Sequence, residues 1–197
     1  MNAISPEKIA ENWEQFRALC NKLGDRTNAV NLMLDELEQR MLMCPASGRL
    51  EQHCAWPGGL VDHSLRVLNN ALLASKTFFS SEKISKESLI LCALMHDLGK
   101  VGNETIDYYA PQDSSWHQEK LGEMYKYNKD LQYMTTAHRS IYMLQRYGIR
   151  LSEEEFIAIL IHDGPFLDEN KKYMMKDPSL ATILQTADLL ATKQEKQ

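Results

Sequence analysis

Three apolar stretches in this chain end at, or are broken by, a residue able to hold a metal ion. Leu89-Ile90-Leu91-Cys92-Ala93-Leu94-Met95 runs into His96-Asp97, and Phe156-Ile157-Ala158-Ile159-Leu160-Ile161 runs into His162. Ile183-Leu184-Gln185-Thr186-Ala187-Asp188-Leu189-Leu190 encloses Asp188. A helix that is apolar on every side belongs inside a core. Polar groups at its end are then buried with it, at a cost of several kcal/mol, on the order of the transfer penalty, unless they find partners. A shared cation removes that cost, so these helix ends are expected to converge.

The remaining pattern is helical nearly throughout, with no convincing period-two segment. Ser5-Pro6 opens a helix running to about Leu23, and a second spans Arg26 to about Cys44 with Val30, Leu34, Leu37 and Met41 on one face. Pro45 to Gly59 is a loop rich in proline and glycine. A third helix covers Leu60 to about Phe79 with His63 in its first turn, and a fourth starts near Ser85 and ends at His96-Asp97-Leu98-Gly99-Lys100. Gly102–Asp130 is a polar and aromatic excursion containing one short helix. Helices resume at Leu131–Tyr147, at Glu153–Asp163 behind the capping box Ser152-x-x-Glu155, and at Pro178–Lys193 with Asp177 as N-cap. The fold class expected is all-α: a single helical bundle with a metal centre between helices. Residues 1–45 supply scaffold or a homo-oligomer contact, and residues 46–197 carry the chemistry, with the aromatic insertion at about 102–130.

Length and composition suit one soluble globular domain: 197 residues, 44% hydrophobic and 25% charged. A net charge of −5 argues against tracking along duplex DNA, which calls for a basic surface. The cysteines Cys20, Cys44, Cys54 and Cys92 form no CxxC pair and read as thiols of a reducing compartment. With no signal-peptide pattern and no membrane-length apolar run, a cytoplasmic location is expected.

The candidate ligands are His63, His96, Asp97, His138, His162 and Asp188. Of six histidines in the chain, four fall into this set. Imidazole and carboxylate together suit iron, manganese, cobalt or zinc, and the set is large enough for two divalent ions.

These residues resemble a known signature. His63, then His96-Asp97-Leu98-Gly99-Lys100, then Asp188 is similar to the pattern of the HD-domain metal-dependent phosphohydrolases, an all-α superfamily whose HD-x-G-K element is matched residue for residue. The segment His53-Cys54-Ala55-Trp56-Pro57-Gly58-Gly59-Leu60-Val61-Asp62-His63 resembles a stretch of the HD-type 3′–5′ exoribonucleases. His138 and His162 resemble additional ligands of the two-metal branch, and the chain as a whole looks most like short, often phage-encoded HD proteins. The resemblance covers roughly His53 to Ala191. It implies a first ion on His63, His96, Asp97 and Asp188, and a second on Asp97, His138 and His162. Asp97 would bridge, since a carboxylate can offer one oxygen to each cation. The implied activity is that of a phosphohydrolase or phosphodiesterase, in which two ions activate a shared water against a small phosphorylated substrate, a nucleotide or short oligonucleotide.

Several neighbours have two readings each. Lys100 either holds a phosphate oxygen or serves its own helix end. Arg139 forks to the same phosphate or pairs at the surface. Asp163 orients His162 or donates a proton to the leaving group, or else caps its helix. His53 is a phosphate donor or leaving-group acid. Trp56 stacks on a base or anchors its loop, and Gly58-Gly59 lets backbone approach the substrate and metal site. Tyr108, Tyr109 and Trp116, with His117 and Lys120, form a lid or a satellite cluster. Two other functions stand beside hydrolysis. HD-type mixed-valent di-iron oxygenases resemble this chain in their six ligands, and non-catalytic nucleotide-binding modules retain the fold without the full set.

Overall fold

The structure is a computed structural model, and it describes residues 4–80, 84–173 and 175–195. Ser5 caps α1 (Pro6–Cys20) by accepting a hydrogen bond from the Lys8 amide, with Pro6 in the first turn. A 3-10 turn at Gly24–Arg26 leads into α2 (Thr27–Met43). Both helices are amphipathic, and Trp13, Phe16, Val30, Leu34, Leu37 and Met41 are buried. The next helices are α3 (Gly59–Phe78) and α4 (Lys86–Met95), the latter capped by the Ser85 hydroxyl.

Every residue of α4 from Leu89 to Met95 is buried, as a helix apolar all round requires. It packs against α3 and α1, and against α7 (Glu153–Leu160) and α8 (Ser179–Gln194). One hydrophobic cluster runs from Trp13 to Ala191, so the N-terminal helices share the core of the helices that follow. The expected all-α architecture is present, and among the described residues no helix is long and apolar enough to cross a membrane.

The excursion is more ordered than its sequence suggests. Strands β1 (Tyr109–Pro111) and β2 (Tyr125–Tyr127) pair antiparallel, Tyr109 opposite Tyr127, around the short helix α5 (Ser115–Leu121). Strands of three residues are too short for alternation to register as a period. Arg40 ties this unit to α2, donating to the Asp107 carboxylate and to the carbonyls of Asn103 and Val101.

Helix ends differ from expectation for local reasons. The sixth helix, α6 (Thr136–Arg146), begins at the Thr135 cap rather than at Leu131, whose amide is taken by the carbonyl of Asn128 in a turn. The capping box of α7 forms as expected, Ser152 and Glu155 each bonding the other's backbone amide. Pro178, not Asp177, occupies the N-cap of α8, and the Asp177 carboxylate accepts from the Thr182 hydroxyl at 2.8 Å.

Candidate metal centre

Helix ends build this site. The last turn of α4 delivers His96, fully buried, and Asp97 directly after it, 3% exposed. A 3-10 turn, Leu98–Val101, follows at once and brings Lys100 back against Asp97. That turn depends on Gly99, because a Cβ there would lie 2.3 Å from the Thr136 carbonyl oxygen at the start of α6. Ser140 on α6 completes the join, its hydroxyl accepting from the Gly99 amide at 2.8 Å and donating to the His96 carbonyl at 2.6 Å. His63 comes from the buried face of α3, His162 from the turn after α7, and Asp188 from the middle of α8.

Five of the six expected ligands meet. The His63 Nε2 lies 3.1 Å from Asp188 Oδ1 and 3.7 Å from Asp97 Oδ2. The His96 Nε2 is 3.5 Å from Asp97 Oδ2, and the His162 Nε2 is 3.5 Å from Asp97 Oδ1. Asp97 thus turns one oxygen toward His63 and His96 and the other toward His162. His63, His96 and Asp97 form one group, and His96, His162 and Asp188 a second, each with donor atoms within 4.8 Å of one another.

The imidazoles are set for coordination. The Nδ1 of His96 faces the Ala93 carbonyl oxygen at 2.9 Å and that of His162 faces the Ile159 carbonyl oxygen at 2.7 Å, so each Nδ1–H donates outward. His63 Nδ1 is held at 3.2 Å from both oxygens of Glu195. With Nδ1 committed as donor, Nε2 keeps a lone pair for the centre. The buried Nε2 of His96 makes no hydrogen bond, and that of His63 has only the Asp188 carboxylate beside it. An unsatisfied buried group costs about 1–3 kcal/mol, and a divalent cation among these donors would satisfy the His96 nitrogen. The donor set therefore fits such an ion.

Charge agrees with geometry. Burial alone would depress His63, but Asp188 and Glu195 outweigh it and lift the imidazole to about 9. His162 is lifted to about 9 in the same way, by Asp97 and Asp163 against burial. Burial prevails at His96, which falls to about 4. Burial would raise the carboxyl of Asp97, yet Lys100 and His96 keep it well below the usual range, and His63 does the same for Asp188. The pocket favours positive charge at His63 and His162.

His138 does not join this group. It lies on the exposed face of α6 with its Nδ1 2.6 Å from the Thr135 hydroxyl, and among the described residues it belongs to no cluster of donors. The expected second set of Asp97, His138 and His162 is therefore not assembled, because the first turn of α6 directs that side chain to solvent. Sequence reasoning missed Glu195 and Ser140. Glu195 stands seven positions after Asp188, two turns along the same helix face, which is the signal that could have found it.

The substrate candidates divide. Lys100 Nζ donates to Asp97 Oδ2 at 2.6 Å, and that carboxylate raises its pKa further against the pull of burial. Lys100 sits on the 3-10 turn rather than on a continuing helix. Asp163 is exposed, 3.8 Å from the His162 Nε2, and makes no side-chain cap bond to the turn it precedes. Arg139 is buried rather than at the surface, donating to the Gln132 carbonyl, with its Nε unpartnered. The loop before α3 closes on itself, Ala46 and Ser47 bonding the carbonyls of Cys54 and His53. It places the His53 ring 4.6 Å from that of His63, and the His53 Nε2 and Trp56 Nε1 are buried without hydrogen bonds. Burial and Lys100 push His53 down to about 3. Gly58 and Gly59 are required by packing. A Cβ would lie 2.8 Å from Ile9 at Gly58, where φ is +79°, and 2.1 Å from the Cys54 carbonyl oxygen at Gly59.

A family model described as HD domain matches residues 60–193, a span containing all five converging donors but not Glu195. No curated protein and no solved structure matches the chain.

Proposed function

The chain belongs to the HD-domain family, a superfamily of metal-dependent phosphohydrolases, and from that premise we propose that it hydrolyses a small phosphorylated substrate, a nucleotide or a short oligonucleotide. The observation that carries the reading is the convergence of three oriented imidazoles on Asp97 and Asp188, with the buried Nε2 of His96 left without a hydrogen bond. His63, His96, Asp97 and Asp188 would hold a divalent ion, iron, manganese, cobalt or zinc, with His162 against the second oxygen of Asp97. The geometry supports one tightly held ion, since the third ligand of a second site is turned away. Such an ion supplies Lewis-acid polarisation of the phosphoryl group and a water of lowered pKa.

The protein's own residues do the rest. Asp188 and Asp163 face a small cavity of about 240 Å³ together with His162, Gln185 and Thr186, which gives a phosphoryl group and water a way in. Lys100, held on Asp97, presents a point charge to a non-bridging oxygen, where negative charge accumulates in the transition state. Water attacks phosphorus, the bond from phosphorus to the leaving oxygen breaks, and that oxygen takes up a proton. Asp163, exposed and beside His162, would take the proton released by the attacking water and deliver it there.

The six-ligand oxygenase is disfavoured by the position of His138, and a ligand-poor regulatory module by the five donors that do meet. The test is a screen of nucleotides, cyclic dinucleotides, dinucleoside polyphosphates and short RNA with manganese, iron or cobalt, without oxygen. Turnover that Asp97→Ala removes supports the proposal. Equal turnover by Asp97→Ala and wild type rejects it.

A further inference from the structure

A cavity of about 620 Å³ lies between α2, the loop before α3 and the β1–β2 hairpin. The metal donors do not line it, but Lys100 does, and the same Nζ is bonded to Asp97. This opening is therefore one side chain away from the centre, and it is roomier than the cavity of about 240 Å³ that His162 and Asp188 line. Its volume is that of an ordinary small-molecule site, about 300–1,000 Å³.

The lining is specific in chemistry. Met43, Pro57 and Met124 are apolar, and Tyr109 and Tyr125 stand on paired strands with ring centroids 6.0 Å apart. Two amides also face the cavity. The Gln39 side chain makes no hydrogen bond among the described residues, and Gln118 uses only its nitrogen, on the Gln112 carbonyl. Aromatic faces with unspent amide donors and acceptors suit a flat, polar-edged ring. Positive charge is scarce there. Two cations line the cavity, each already paired with a carboxylate: Arg40 with Asp107 and two backbone carbonyls, and Lys100 with Asp97, and of the two it is Lys100 that also reaches the centre. A polyphosphate or a long strand would require more basic groups than this.

We propose that this cavity binds the base and sugar of a nucleoside monophosphate, with Lys100 at its inner end receiving the phosphate. The proposal rests on the phosphohydrolase reading above and narrows its substrate. Gln39, Met43 and Pro57 precede the family-matched segment, and Tyr109, Met124 and Tyr125 belong to the aromatic excursion. Recognition of the organic group therefore comes from outside the helices that carry the donors.

The experiment is calorimetric titration of the manganese-loaded full chain with AMP, GMP, CMP and UMP, against glycerol phosphate and inorganic phosphate. Manganese content is measured on the same samples. At least one nucleoside monophosphate should bind tenfold or more tightly than glycerol phosphate. Met43→Trp, which fills the cavity from an exposed position, should remove most of that difference, and Gln39→Ala should weaken it severalfold. Should Met43→Trp fail to fold, Gln39→Ala carries the test. Nucleotides binding no better than glycerol phosphate, or binding both variants as they bind wild type, would overturn the cavity assignment while manganese retention keeps the centre. A wild-type chain that retains no manganese yet binds a nucleoside monophosphate in a Met43-dependent way supports the cavity and overturns the reading of the centre.

Discussion

The C-terminal ends of α4 and α7 and the N-terminal turn of α6 each carry a histidine, and they treat it differently. His96 and His162 follow buried apolar turns, and each anchors its Nδ1 on the carbonyl three residues earlier. Their Nε2 atoms are thereby aimed into the interior. His138 sits in a first turn, its Nδ1 against the cap Thr135, with the ring in solvent. The difference teaches that an imidazole is presented to an ion when the chain buries it and commits one of its two nitrogens. Position in a motif does not do this by itself.

Asp97→Ala attacks the buried side of this comparison hardest. It removes the carboxylate shared by His63, His96, His162 and Lys100 and leaves the lysine charge unpaired. Metal retention should be lost and turnover should fall by about a thousandfold or more; elemental analysis and an activity assay check both. The comparison itself is tested by His162→Ala beside His138→Ala. The first should weaken metal binding about 10- to 100-fold, and the second should leave metal content within twofold of wild type. Loss of metal in His138→Ala would reverse the contrast and restore a two-ion centre.

A finer probe is Glu195→Gln, which keeps a hydrogen-bond acceptor for His63 but removes its charge. Metal affinity should drop about tenfold, at the mild end of such outer-shell effects, with the fold intact by circular dichroism. The smallest effect is in pH. In the metal-free chain His63 and His162 titrate near 9, above the ordinary 6.5, so they carry protons at neutrality. An incoming ion must displace them, and apparent metal affinity should climb as pH rises toward about 9. Without metal the sign for stability is opposite. The paired imidazolium groups contribute fully below 6.5, and that contribution is lost as pH passes through about 9, so Tm should fall across this interval. A flat Tm would mean these histidines are neutral in the folded chain.

Much of the centre was legible because burial left few choices. A run such as Leu89–Met95 cannot face water, so His96 and Asp97 had to be inside, and similar reasoning reached His162 and Asp188. His63 and Lys100 were found by motif, and the structure adds why Gly99 stands between: no other residue lets the turn meet α6. His138 was misplaced because a helix N-terminus carries no burial signal of its own. Glu195 was passed over because it lies within a stretch of lysine and glutamine that reads as solvated surface, although it is buried against His63. The hairpin escaped notice because its pairing joins Tyr109 to Tyr127 across α5, with no short turn to mark it.

The double use of the Ser140 hydroxyl constrains how α6 can sit. Successive helical residues advance by about 100°, so Ser140 and His138 look out from nearly opposite sides of the same cylinder. Rolling the helix far enough to carry His138 inward would tear Ser140 from both Gly99 and His96 and drive the Thr136 backbone away from its seat on Gly99. The clamp that shapes the lysine-bearing turn is thus also what keeps His138 outside.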